Sequence, residues 1–207
     1  MTVQEFLTIV RYSEVNNLAV QDNDDALVAF LNLGLIELYT RFPIKVKEHI
    51  IELDDSDTEY EMPSDFMLAL SAYEEKDVNN PGEVVRVAIN EELDPYSIFF
   101  PDWNTVQIPV VSQGTYISII YVAKPAVVVN TVEGLASTLD LPASLVDCLA
   151  SYVGYRAHLG VRGDTQSENN AHWQRFDRNC MKARELGVAF PADSMVMDTR
   201  LSTRGFV

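Results

Sequence analysis

Reactive side chains are scarce in this sequence. Two cysteines and three histidines among 207 residues exclude a disulfide framework and leave little for a metal centre. Cys148 and Cys180 have no zinc-like spacing, so they read as small apolar filling and as reduced thiols of a protein made in a cytoplasm. His158 and His172 fall on the polar sides of their helices and are expected at the surface rather than around a metal. There is no Walker loop, GxGxxG, GxSxG or HExxH. Cys148 paired with either histidine would make a nucleophile and base, but Cys148 lies on an apolar stripe, where a thiol stays protonated and inert. The carboxylate pairs Glu74/Glu75 and Glu91/Glu92 could be cast as a glycosidase, yet neighbouring acids are expected by chance in so acidic a stretch. No catalytic, cofactor-binding or metal-ligating residue is assigned, and the chain is expected not to be an enzyme.

Long apolar runs are missing too. The longest are short and interrupted, so no membrane span is expected. The amino terminus "MTVQEFLTIV" lacks the basic start and continuous apolar run of a signal peptide. Basic residues are few in the first half: residues 1–103 carry 22 acidic and 6 basic side chains, a balance of −16, while residues 104–207 carry 9 of each. Such a half has no basic stripe with which to release counterions from a phosphate backbone. It suits a solvated surface, a cationic partner, or a wall that DNA slides past without sticking.

What is present is packing material, 47% hydrophobic, arranged in two modes. Residues 141–187 read as a helical hairpin. Pro142 suits a first helical turn. Leu145, Cys148, Leu149, Tyr152, Arg156 and Leu159 share one stripe, with Val146, Ala150, Val153 and Ala157 beside it, so this helix should be contacted from two sides. Arg156 is the odd charge there and should snorkel or pair with a buried acid. In the second helix Trp173, Phe176, Cys180 and Ala183 line one edge, and Gly187 is the expected cap. At the other end of the chain, Thr2 and Glu5 form a capping box ahead of Val3, Phe6, Leu7 and Val10. A second helix is expected from Asp22 and Asp25 to about Phe42, stopped by Pro43. Its main stripe is Leu27, Phe30, Leu31, Gly34, Leu35 and Leu38, and Ala26, Ala29, Leu33 and Ile36 make it apolar nearly all round. Such a helix lies inside a bundle or between subunits.

Residues 43–125 are different. Short runs rich in β-branched and aromatic residues alternate with turn signals such as "DDSD", "NNPG" and "SQG", which predicts an antiparallel meander. Both alternate sets of "TYISIIYVA" are mostly apolar, so this strand is expected at the centre and covered on both faces. Ser64 and Asp65 are expected to open one helical turn. Residues 126–140 read as an extended connection whose "AVVV" adds an edge strand. Residues 188–207 have no period, yet carry Phe190, Met195, Met197, Leu201 and Phe206 among polar residues, with Arg200 and Arg204. Anchors without a period suit a segment that orders against a partner.

The fold class is therefore α+β: a helical bundle from 1–42 and 141–187, a β-rich insertion at 43–125, a connection at 126–140 and an extended arm at 188–207. In this order "DDALVAFLNLGLIELYTRFP", "EYEMPSDF", "YVAKPA", "LPASLVDCLASYVGYRAH" and an "A-x-W-x-x-F" helix resemble the head-to-tail adaptor proteins of tailed bacteriophages, especially the tail tubular protein A-like and tail accessory factor adaptors of short-tailed phages. The resemblance implies a structural virion protein, made in the host cytoplasm, that forms a homo-oligomeric ring, commonly a dodecamer, below the portal protein. The ring would join capsid to tail around the DNA channel, with DNA passing its lumen unread. The bundle, with Phe30, Leu31, Leu35, Leu38, Leu145, Leu149, Tyr152, Trp173 and Phe176 as packing residues, would build the ring. The β insertion would face tail tube, nozzle or fibre proteins. The arm, with Phe190, Met195, Met197, Arg200, Leu201, Arg204 and Phe206, would dock on the portal. The alternatives are a tail-completion or tube-terminator ring, or a tail module that binds a fibre or a glycan. No cofactor and no membrane are expected.

Overall fold

The structure, a computed structural model, describes residues 1–54, 58–75, 85–108, 116–162 and 171–186. These form two compact units, one from Met1–Ile44 and the described residues from Pro125 onward, the other from Lys45–Lys124. Helices and antiparallel strands together make an α+β protein.

The helical unit begins with α1, Val3–Ser13. Its capping box is formed: the Glu5 amide donates to the Thr2 hydroxyl at 3.2 Å, and the Thr2 amide donates to the Glu5 carboxylate at 2.8 Å. Two otherwise orphaned donors are thereby satisfied, and Val3, Phe6, Leu7 and Val10 are fully buried. Helix α2, Asp24–Arg41, starts at Asn23 and not at Asp22. The Asn23 side chain accepts the Ala26 amide at 3.1 Å, while Asp24 is drawn into an ion pair with Arg11 of α1. The helix stops at Phe42, whose amide reaches Leu38 at 2.8 Å, just ahead of Pro43. The hairpin does not open as an α-helix at Pro142. Pro142 accepts the Leu145 amide at 2.9 Å in a tighter turn over Ala143–Leu145, and the α-helix α4 follows as Val146–Arg162. Helix α5 is Ala171–Glu185, and Gly187 lies outside the described residues.

Packing follows the stripes. Leu27, Leu31, Leu38, Leu145, Leu149, Val153 and Phe176 are fully buried in one cluster with α1. Gly34 is where α2 crosses α4: a Cβ there would stand 2.5 Å from the Leu149 side chain and 3.0 Å from Tyr152.

Residues 126–140 are not a plain extended crossing, and no edge strand forms at 126–129. Val132–Ala136 is a short helix, α3, capped by Thr131, whose hydroxyl accepts the Gly134 amide at 3.1 Å. Asn32 of α2 does what a neighbouring strand would have done. Its side-chain amide donates to the Val128 carbonyl at 2.8 Å and accepts the Val128 amide at 2.9 Å. One side chain thus satisfies both backbone groups and straps residues 125–131 to the helix. Asn32→Leu should cost about 1–3 kcal/mol, since a half-buried amide and carbonyl lose their partners. A thermal melt of the helical unit checks this, with faster hydrogen exchange at Val128 as the local sign.

The second unit is built on a sheet of order β1-β6-β3-β4, from β1 Val46–Glu52, β3 Phe66–Glu75, β4 Val85–Val87 and β6 Tyr116–Ala123. β2, Glu59–Glu61, and β5, Thr105–Gln107, pair separately. All these ladders are antiparallel, but the expected meander is wrong. The first strand pairs with the last, Val46 opposite Val122 and Glu52 opposite Tyr116. The spacing rule assumes that consecutive strands are neighbours, whereas here the most apolar strand, the last of the segment, takes the centre between β1 from its start and β3 from its middle. β6 does lie at the centre, and every residue from Ile117 to Ala123 is buried. Ser64 and Asp65 form a turn closed by the Phe66 amide on the Pro63 carbonyl at 2.8 Å, not a helical turn. Asp65 has too many outside partners to continue a helix: it takes the Tyr121 hydroxyl at 2.9 Å, pairs with Lys47, and its carbonyl accepts the Lys124 amide at 2.7 Å. The Lys47 contact, followed by Tyr121, holds its carboxyl below the usual range.

Candidate functional site

Among the described residues no group of His, Cys, Asp and Glu could hold a metal ion, and no helix is long and apolar enough to cross a membrane. What the helical unit offers is a clamped core and a set of outward faces.

The clamp centres on Glu14, the C-cap of α1, which is buried. Its carboxylate lies 3.2 Å from His172 Nδ1 and 3.0 Å from Arg175 Nη1, both on α5. Its backbone carbonyl lies 3.1 Å from His158 Nε2 on α4. The two imidazoles stack with centroids 4.3 Å apart. Gly154 makes room: a Cβ there would stand 2.9 Å from His172 Nδ1 and 3.0 Å from the Glu14 carboxylate. The bond from His172 holds the Glu14 carboxyl below its ordinary value, against the opposing pull of burial and with help from the charge of Arg175. The histidines are therefore half-buried and engaged with an acid from another helix, not displayed at the surface. A helical wheel orients a side chain only relative to its own helix and cannot see α1 arriving. Stacked face to face, the rings do not converge on a common point as metal ligands must. The arrangement ties three helices together.

A second tie runs from the end of α2. Arg41 bonds Glu37 at 2.7 Å and Asp177 of α5 at 2.9 Å, with its guanidinium 4.6 Å over the Phe176 ring. Trp173, Phe176, Tyr152 and Tyr155 form an aromatic chain with centroids 5.1–6.0 Å apart. Cys148 and Cys180 are both buried and free, and the hydrogen bond between the two thiols pulls Cys148 down and Cys180 up. Arg156 is half-buried beside Tyr152; Glu14, the buried acid among the unit's described residues, is paired with Arg175 instead.

Of the residues expected to pack the bundle, Leu31, Leu35, Leu38, Leu145, Leu149, Tyr152 and Phe176 are buried, and Phe30 and Trp173 are partly buried against them. α4 is enclosed on both of its apolar strips within its own chain. Fully buried side chains such as Leu145, Leu149 and Phe176 have no surface left for a neighbour. Apolar surface remains elsewhere: Leu33 and Ile36 on α2, Val127, Val129 and Val132 around the strap, Met181 on α5, and Ile9 and Tyr12 on α1. The arm residues Phe190, Met195, Met197, Arg200, Leu201, Arg204 and Phe206 lie outside the described residues. Two contributors were not singled out from sequence. Glu14 continues the Val3, Leu7, Val10 stripe at helical spacing, a buried position that demands a cationic partner. Asn32 is the one polar residue between Leu27 and Ile36 of α2.

A family model described as SU10 adaptor protein matches residues 1–195. No curated protein matches the chain. Among solved structures, a chain in the neck of an empty GTA particle computed with C6 symmetry is 14% identical, with 86% of this chain and 88% of that one covered at a TM-score of 0.33. The chain belongs to the SU10 adaptor family, a family of phage adaptor proteins.

Proposed function

We propose that this member of the SU10 adaptor family is a head-to-tail connector of a virion, a non-enzymatic ring of identical subunits bound below the portal protein, of the kind built by tail tubular protein A-like adaptors. The family match over residues 1–195, reaching through both units, carries the reading. The ring is commonly a dodecamer in such adaptors. Its lumen passes DNA without reading it, and the 22 acids against 6 bases of residues 1–103 suit a wall that repels phosphate. Residues 188–207 dock on the portal through Phe190, Met195, Met197, Leu201 and Phe206, with Arg200 and Arg204 beside them. The β-rich unit faces the tail, toward tube, nozzle or fibre proteins.

Electron microscopy of the purified protein with and without portal rings tests this. A closed ring stacked on the portal is expected, and a chain lacking residues 188–207 should fold yet no longer co-sediment with portal. Full-stoichiometry binding by the truncated chain would overturn the arm assignment. Failure of the whole chain to form any ring on portal would overturn the connector reading itself.

A further inference from the structure

We infer that neighbouring copies of this chain meet head to tail, the outward face of α2 and its strap on one copy seating against the outward face of α5 on the next. This rests on the ring reading above and names the two surfaces that build it.

The first surface is the back of α2. Its inner side buries Leu27, Leu31 and Leu38, but successive turns of the other side leave Leu33 40% and Ile36 50% exposed, with Ala29 also exposed one turn earlier. The strap extends the patch, Val127 at 78% and Val129 at 52%. Asn32 fastens the strap at Val128 through two hydrogen bonds, so helix and strap offer one fixed surface rather than two loose ones. A helix that keeps a second apolar stripe in water is normally covered by something.

Charge selects the cover. Residues 22–40 and 125–140 contain no lysine or arginine, and Asp25 and Glu133 are exposed at the rim of the patch. α5 has the opposite character. Arg178, Met181 and Lys182 are exposed on its outward side, Met181 at 57%. Of the two acids in α5, Asp177 is engaged with Arg41 of the same chain, which leaves Glu185 against the exposed bases. Two α2 faces laid together would set acid rim on acid rim, and two α5 faces would set base on base. Only the mixed pairing puts opposite charges around an apolar centre. A contact between unlike patches is heterologous, and repeated with a closing rotation it generates a ring.

Two variants test this: Ile36→Glu, which blocks the α2 face, and Met181→Glu combined with Arg178→Glu, which blocks the α5 face. All three sites are exposed, so the melting curves should match wild type, and that is measured first. Particle masses are then read for wild type, each variant and their equal mixture, with portal rings added as nuclei. Wild type is expected to close rings, and each variant alone to lose at least about tenfold in completed rings. The mixture should stop at pairs, because one intact α2 face and one intact α5 face remain. Rings closed by either variant, or a mixture no larger than its components, would overturn this pairing while leaving the ring reading intact. Failure of wild type to close rings would overturn both.

Discussion

Leu149→Asp is expected to unfold the helical unit or leave it barely folded. Leu149 is fully buried, beneath Gly34 of α2, where a Cβ would stand 2.5 Å from its side chain. Truncating such a leucine alone costs about 2–5 kcal/mol. A carboxylate adds the expense of taking a charge out of water. The total rivals the about 5–15 kcal/mol by which a whole domain is stable. Since each kcal/mol moves the midpoint of a chain this size by about 2–4 °C, a drop of about 10 °C or more should appear in circular dichroism at the helical band. Leu149→Met conserves volume and should cost less than about 1.5 kcal/mol. A Leu149→Asp protein that melts like wild type would show that this crossing does not hold the bundle.

Glu14→Gln should have the second largest effect, and one that depends on pH. The carboxylate is buried and its charge is met by His172 and Arg175, with His158 on its carbonyl. Replacing it keeps the shape but removes charge-assisted bonds worth about 1.5–3 kcal/mol. The folded-state pKa of Glu14 lies below its ordinary value of 4.5. Its contribution is therefore complete above that ordinary value and is lost as the pH falls through the folded one. Wild type and Glu14→Gln should differ in melting temperature near neutral pH and converge in acid. A gap that persists undiminished at about pH 3 would mean that the ionised carboxylate is not what stabilises the clamp.

What the sequence disclosed depended on how far each signal reaches along the chain. The capping box of Thr2 and Glu5 needs only three residues of separation, and it formed as read. The central place of β6 was legible because both its alternate sets are mostly apolar, a property of one strand by itself. Strand order was not, because pairing Val46 with Val122 is a choice between distant segments that spacing does not encode. The same limit explains residues 126–129. Their valines have strand-like propensity, yet Asn32 supplies the hydrogen bonds from a helix far away in sequence. The clamp was half legible: the histidines were visible, but the acid that engages them sits more than a hundred residues earlier. On the surface, the apolar second side of α2 was plain from Ala29, Leu33 and Ile36. The apolar surplus of α4 is instead consumed inside the unit.

One consequence follows from the pairing of β1 with β6. The strand that leaves residue 45 and the strand that returns to residue 124 are hydrogen-bonded neighbours, with the Ala123 amide on the Lys45 carbonyl at 2.9 Å. Closing a long loop costs conformational entropy that grows with the logarithm of its length. Once the β-rich unit has folded, that entropy has already been surrendered, and its two ends stand about one strand spacing apart. The helices on either side of residues 45–124 then assemble as though joined by a tight turn. Material can be added to or removed from the far loops of the sheet with little thermodynamic effect on the bundle.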